Sequence, residues 1–243
     1  MLQRIDLADR VAVERAKRLT VDGFADDTLV RRALERLAEE ADAAPAWRAR
    51  IWKKIPVAAG LGGGSSDAAT ALRLANGLLA EPLPTERLLR LAAELGSDVP
   101  FFLADGPQLG EGDGSELARL DLPQDYWIVL LHPSGEAKPS TAAVYGAFDE
   151  RHGAAGYEER RRKLLDAVGA VRRPRDLAAL PANDLASSPL SAELGRLGAF
   201  RADVTGAGPV VYGLFHHRGE ARAAARTLKG RGRLWITVPA WYG

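Results

Sequence analysis

Residues 56 to 66 read Pro56-Val57-Ala58-Ala59-Gly60-Leu61-Gly62-Gly63-Gly64-Ser65-Ser66, directly ahead of a helical pattern. Glycines let backbone come close to a ligand, successive N–H groups can face one concavity, and a helix N-terminus adds roughly +0.5 charge, so phosphate oxygens are favoured there. Ser65 and Ser66 add hydroxyls that can donate to phosphate or meet a magnesium ion. The competing reading is a flexible surface turn, but four glycines and two serines within residues 60–66 would be entropically costly in a connector. No Gly-Lys-Ser/Thr follows, the spacing and ribose acid of a dinucleotide fold are missing, and so are the protein-kinase motifs. Asp98, ahead of Val99-Pro100-Phe101-Phe102-Leu103, reads in two ways. It can accept a hydroxyl proton during phosphoryl transfer, or it can serve as a turn or cap residue next to Pro; its local pattern leaves both open. Thr205-Gly206-Ala207-Gly208-Pro209 lies between two strand patterns and reads first as a hairpin turn. Lys53 and Lys54 either face phosphates or sit on a solvated strand end. His216 and His217 lack a third metal ligand at useful spacing and read as surface residues, and Arg160 to Arg162, balanced by Glu158 and Glu159, read as a solvated helix face.

The surrounding patterns supply the elements that must hold these residues. Alternation predicts strands over 7–13, 19–21 and 47–55, the last ended by Pro56, with Asp22-Gly23 as a turn. Apolar residues at helical spacing predict a helix over 29–41, capped by Asp26 or Asp27, and another over 67–79. A third helix is expected over 85–95, with Thr85 as its cap and Gly96 as a left-handed stop. Further along, 127–131 reads as a buried strand, 141–148 and 157–168 as helices, and 172–175 as an exposed loop. The last third alternates strand (201–204), glycine turn, strand (210–215), helix (220–228) and strand (234–238), the pattern of a small α+β sandwich. A domain boundary is placed near 124, giving domains 1–124 and 125–243.

Composition narrows the function classes. The 243 residues carry 33 Lys plus Arg against 32 Asp plus Glu, a net charge of +1, so no uniform field draws the chain to nucleic acid or an anionic membrane. Any polyanion must be met locally. Cysteine is absent, which removes disulfides, thiolate metal sites and Cys nucleophiles, and the chain holds only 4 His. No apolar run approaches the ~20 residues of a membrane span and the start is not a signal peptide, so the expectation is a soluble, cytoplasmic protein. Ammonium groups are scarce: the lysines are Lys17, Lys53, Lys54, Lys138, Lys163 and Lys229.

The stretch Ile55 to Ala69 closely resembles the ATP-binding motif of the GHMP kinases, the family of galactokinase, homoserine kinase, mevalonate kinase and phosphomevalonate kinase. Its triple glycine followed by Ser-Ser-Asp-Ala-Ala is similar to the branch whose substrate is a cytidine diphosphate-linked methylerythritol in the non-mevalonate route to isoprenoids. Gly96 to Phe102 resembles that branch's catalytic aspartate segment, and Thr205 to Gly208 with Val210-Val211-Tyr212-Gly213 resembles its C-terminal glycine motif. His132-Pro133, Ser140-Thr141 and Asn183-Asp184-Leu185 also fall where the branch has similar segments. The resemblance covers nearly the whole chain. It implies an α+β two-domain GHMP kinase fold, an N-terminal ATP-binding α/β domain and a C-terminal ferredoxin-like sandwich. It also implies ATP and Mg2+ as cofactors and transfer of the γ-phosphoryl to the substrate's 2-hydroxyl. Pro56 to Ser66 would hold the ATP phosphates, Asp98 would serve the hydroxyl nucleophile, and Gly206, Ala207 and Gly208 would shape the floor of a cleft between domains; the metal ligands are not readable.

Two departures accompany the resemblance. Ala207 stands where the family usually carries a hydroxyl residue. The family also begins with a strand carrying Ala-Lys-Ile/Val-Asn-Leu, whose Lys pairs with the catalytic Asp, and then an Asp-Gly-Tyr-His segment that contacts the cytidine substrate. Here residues 2–10 already resemble the strand beyond them, and Lys17 does not match in context. The expectation is therefore a chain beginning late in the family's pattern, with ATP binding kept and turnover weakened. An unpaired sheet edge would follow, favouring poor solubility or a homodimer over a monomer. The alternatives are another small-molecule kinase of the family or an inactive nucleotide-binding relative.

Overall fold

The computed structural model describes residues 1–24, 28–135 and 141–240; the cap expected at Asp26 or Asp27, Lys138 and Ser140 lie outside them. Backbone contacts divide the chain into two units. Among the described residues the first comprises Met1–Val57 and Gly62–Asp121, the second Ala58–Leu61 and those from Leu122 to 240.

In the first unit, β1 (Arg10–Arg15), β2 (Thr20–Asp22) and β3 (Trp47–Trp52) form a sheet in the order β1-β3-β2. Ala49 of β3 stands opposite Val13 of antiparallel β1 and Val21 of parallel β2. Trp47, Ala49 and Ile51 are buried and alternate with Arg48, Arg50 and Trp52, the period of two that a half-buried strand requires. The strand ends at Trp52, earlier than the sequence pattern, because the next free amides, those of Lys54 and Ile55, donate to the Asp9 carboxylate instead of to a strand.

Three helices cover this sheet: α1 (Thr28–Glu40), α2 (Gly63–Asn76) and α3 (Thr85–Leu95). Val30, Ala33, Leu34, Leu37 and Ala38 of α1 recur at helical spacing and meet Ala68, Ala69, Ala71, Leu72 and Ala75 of α2 in one core with Leu88, Leu91 and Leu95 of α3. Each fully buried leucine there contributes on the order of 1.5–3 kcal/mol. At the end of α2, the buried Asn76 amide both donates to the Leu83 carbonyl and accepts from its N–H, closing the connection to α3.

Two details of α3 depart from expectation. Thr85 is the first helical residue and caps nothing, because Pro84 takes the cap position. Gly96 is extended (φ 164°) rather than left-handed, since the chain leaves the helix straight into a 96–99 turn that feeds a 3-10 turn at Pro100–Phe102. A hairpin of β4 (Gln108–Glu111) and β5 (Glu116–Arg119) completes the unit, and Leu2 bridges to Gln108.

The second unit carries β6 (Trp127–Pro133), α4 (Thr141–Glu150), α5 (Tyr157–Ala170), a 3-10 turn (Pro174–Ala179) and α6 (Pro189–Arg196). It continues with β7 (Arg201–Val204), β8 (Val211–Phe215), α7 (Arg218–Thr227) and β9 (Gly232–Thr237). Its sheet runs β7-β8-β6-β9 with every neighbouring pair antiparallel, the ferredoxin-like arrangement with extra helices between β6 and β7. Val129, Leu131, Leu194, Val211, Phe215, Ala221, Ala224 and Leu228 form its core. The 3-10 turn occupies part of the segment expected to be loop, and α6, unforeseen, starts at a Ser188 cap followed by Pro189.

Candidate active site

The glycine-rich run does two structural things in succession. Ala58, Gly60 and Gly62 have left-handed backbone (φ 55°, 74° and 66°), which coils the chain tightly, and α2 then begins at Gly63 without a side-chain cap. The helix starts four residues before the expected 67–79 pattern, because glycines 63 and 64 carry no apolar signal. Ser65 and Ser66 thus belong to its first turn. The first helical bond outside the ladder runs from the Ser66 N–H to the Gly62 carbonyl at 2.9 Å, leaving the N–H groups of Gly63, Gly64 and Ser65 with no acceptor among the described residues. The Ser65 and Ser66 hydroxyls likewise hold no bond there. Such a cluster of unsatisfied donors at a helix N-terminus is what an anion needs.

The glycines differ in why they must be glycine. A Cβ on Gly62 would stand 2.9 Å from Phe102 Cζ, and one on Gly63 2.9 Å from Ile55 Cγ2. A Cβ on Gly64 would meet nothing within 4 Å. Packing therefore accounts for the first two, whereas Gly64 opens space beside the free amides. Around this run Pro56 is half-buried, Val57 and Ala58 are exposed, and Ile55 and Ala59 are buried anchors.

Beneath the helix start lies a charged group that the sequence reading missed. Lys53 Nζ contacts Asp9 Oδ2 at 2.5 Å and Asp67 Oδ2 at 2.7 Å, and its side chain is 17% exposed against 2% for each carboxylate. Neither expectation for Lys53 holds: it is neither a solvated strand end nor free to face phosphate, because buried carboxylates require a partner. Burial acts to lower the Lys53 pKa, but its bonds to Asp67 and Asp9 outweigh that and hold it above the ordinary lysine value. Lys54, by contrast, is exposed. A sequence signal for the group existed: Asp67 shares its helix face with Ala71 and Ala75, at i, i+4 and i+8, so an acid there had to be paired.

Asp98 sits in the turn after α3, anchored by buried Val99 and Phe101. The contact between Gly62 and Phe102 joins this segment to the glycine run. The carboxylate is open to solvent, yet enough protein crowds it that partial burial raises its pKa above the ordinary aspartate value. Among the described residues no cation bonds it.

In the second unit, the turn 205–208 connects β7 to β8 as a hairpin and also grips the Ala58–Leu61 segment. Thr205 Oγ1 donates to the Gly60 carbonyl at 3.0 Å. A Cβ on Gly60 would lie 2.5 Å from the Thr205 carbonyl and 2.8 Å from that of Gly208, so only glycine fits. Asn183, whose role no sequence pattern revealed, donates from Nδ2 to the carbonyls of Val204 (2.9 Å) and Gly206 (2.7 Å) and fixes the turn. Its own N–H donates to Asp203, which Arg201 also contacts at 3.3 Å. Gly206 is exposed, Ala207 half-buried and Gly208 buried. His216 and His217 are exposed as expected, His216 stacking on Phe200. Helix α5, with Arg160 to Arg162, buries no residue.

Comparison with known proteins gives concordant results. The GHMP kinases N terminal domain matches residues 28–106 and the GHMP kinases C terminal domain residues 188–234. A 4-diphosphocytidyl-2-C-methyl-D-erythritol kinase of Geobacter sulfurreducens is 34% identical over 95% of this chain and 85% of its own. One of the same name from Anaeromyxobacter sp. strain Fw109-5 is 39% identical over 92% of this chain and 76% of its own. Among solved structures, a 4-(cytidine 5'-diphospho)-2C-methyl-D-erythritol kinase superposes with a TM-score of 0.76 at 29% identity, covering 98% of this chain and 88% of that one. The Methanococcus jannaschii mevalonate kinase gives 0.75 at 14% identity, covering 98% and 90%, a likeness of fold alone. Among the described residues no helix is long and apolar enough to cross a membrane.

Proposed function

The chain belongs to the GHMP kinases, and on that premise we propose that it transfers the γ-phosphoryl of ATP to the 2-hydroxyl of 4-diphosphocytidyl-2-C-methyl-D-erythritol, as a cytoplasmic enzyme of isoprenoid precursor synthesis. The observation that carries the reading is the α2 N-terminus, where the amides of Gly63, Gly64 and Ser65 stand unbonded beside open space at Gly64. The choice of substrate within the family is supported by relatives of that name at 34% and 39% identity.

In this reading the 56–66 run holds the ATP phosphates, the amides and helix dipole offsetting their charge. The substrate hydroxyl oxygen attacks the γ-phosphorus, the bond to the β–γ bridging oxygen breaks, and ADP leaves with that electron pair. The hydroxyl proton passes to Asp98. Because phosphoryl transfer is mostly positioning and charge stabilisation, two rigid attachments of the run matter: α2 packed in its core, and Gly60 gripped by Thr205 and the Gly206 to Gly208 turn. Mg2+ suits this donor set as an ion held chiefly by phosphates. No cluster of three His, Asp or Glu side chains is present among the described residues, but such an ion needs only one or two protein oxygens, which the unbonded Ser65 and Ser66 hydroxyls would supply. When bound it neutralises charge on the phosphoryl oxygens.

Steady-state assay with ATP and a panel of alcohols tests the reading. Turnover is expected with the cytidine diphosphate-linked substrate and not with mevalonate or homoserine. Turnover confined to either of the latter would reassign the substrate.

A further inference from the structure

Lys53, Asp9 and Asp67 lie outside the groups assigned above to ATP or to the hydroxyl, yet they sit where they must affect phosphate binding. A Cβ on Gly63, the first residue of α2, would stand 3.4 Å from Lys53 Nζ. Asp67 follows Gly63 by four positions, about 6 Å along the helix axis. A single ammonium, that of Lys53, bonds both carboxylates directly under amides that are to receive polyanionic phosphates. The carboxylates are buried, so water screens them poorly, and without the ammonium their field would oppose the helix dipole. Asp9 cannot turn away, because its Oδ1 accepts from the Lys54 and Ile55 amides at the root of the loop.

We propose that Lys53 sets the affinity of the loop for ATP by masking Asp9 and Asp67, a positioning residue that acts through these two carboxylates without itself touching phosphate. The inference rests on the reading of residues 56–66 as the ATP site. It differs from a purely structural tie in the sign of its effects. If charge under the helix start governs affinity, then Asp67→Asn, which removes one negative charge while its amide oxygen can take the place of the Oδ2 that accepts from Lys53, tightens ATP binding. Lys53→Met, which unmasks both acids, loosens it. The double variant Lys53→Met/Asp67→Asn restores the wild-type net charge and returns affinity toward normal.

ATP affinity of the full chain, measured by isothermal titration calorimetry at low and high salt, is the test, with kcat measured alongside. Asp67→Asn is expected to tighten binding roughly threefold to tenfold, and Lys53→Met to weaken it about tenfold or more. The double variant should lie within about threefold of wild type, and all differences should shrink with salt. Values of kcat should stay within about threefold, because the masked charge acts on ground and transition states alike. A structural tie instead makes Asp67→Asn weaker and the double variant worst, with affinity tracking melting temperature; that pattern overturns the proposal. If Lys53→Met does not fold, Asp67→Asn alone decides by its sign. A wild-type chain that fails to bind ATP overturns the kinase reading and this inference together, whereas tight wild-type binding with a flat variant series overturns only this one.

Discussion

A carboxylate that takes a proton from an alcohol works best when its pKa stands closer to working pH than an ordinary aspartate's does. Asp98 meets that condition: crowding at the 96–99 turn raises its pKa, and no cation among the described residues pulls it back. Replacing it with Asn keeps the shape and removes the acceptor. Steady-state kinetics on Asp98→Asn should give kcat lowered on the order of 100- to 10,000-fold. ATP affinity should remain within a few-fold, because the α2 amides are untouched, and loss of ATP binding would reassign Asp98 to the nucleotide. In the wild type, kcat/KM should fall as pH drops through the raised Asp98 value, with a midpoint above that of an ordinary aspartate, and a flat profile there would remove Asp98 as the base. Stability runs the opposite way. A raised folded-state pKa means the native chain holds the proton more tightly than the unfolded one, so this group's contribution is most favourable at acid pH and declines as pH rises from the unfolded to the folded value. At neutral pH the charged form is therefore a liability to the fold, and calorimetry of Asp98→Asn at pH 7 should give a melting temperature no lower than wild type.

At the scale of the element, α2 opens on residues that weaken its own propensity, as a helix start proposed to receive a ligand would. Glycine in a helix interior is less favourable than alanine by roughly 0.5–1 kcal/mol, yet α2 opens with Gly63 and Gly64. Gly64→Ala meets no neighbour and should leave the melting temperature equal or higher while weakening ATP binding, because its methyl group enters the space beside the free amides. Gly60→Ala, with φ 74° and two carbonyls inside 3 Å of the new methyl, should instead lower the melting temperature by several degrees. Paired calorimetry and ATP titration separate the two, and a Gly64→Ala chain with unchanged affinity would remove that space from the site. The same helix marks how far the sequence could be read. Helical spacing from Ala68 onward was legible because those positions face a core, but glycine has no side chain to place, so the first turn was invisible. For the same reason the four-residue strands of the β4–β5 hairpin, set among Gly110, Gly112 and Gly114, left no periodic trace. Residue type and spacing were enough to single out Pro56 to Ser66 as a candidate phosphate loop, whereas for Asp98 they left two readings open and only the family resemblance favoured one. Pairings across long separations, such as Asp9 with Lys53 and Asn183 with Gly206, depend on how the strands are brought together and became visible only in the fold.

For the molecule as a whole, the run proposed to bind phosphate includes Ala58–Leu61, which group with the second unit between two stretches of the first, and each unit keeps its own core. A ligand bound to that run should consequently stabilise the folded chain by mass action, about 2.7 kcal/mol at a hundredfold excess over Kd. In a chain of 243 residues each kcal/mol corresponds to roughly 2–4 °C of melting temperature. ATP at that excess should thus raise the melting temperature by about 5–10 °C. If the second substrate is recognised through its cytidine diphosphate moiety, cytidine diphosphate should add a further rise when ATP is already saturating, since the two nucleotides then occupy separate sites and their stabilisation free energies sum. Scanning calorimetry with ATP, with cytidine diphosphate, and with both distinguishes the cases. A combined shift no larger than that of ATP alone means that cytidine diphosphate merely competes for the glycine run. That outcome would remove the cytidine-linked substrate from the reading and leave the family's phosphoryl transfer to act on a different alcohol.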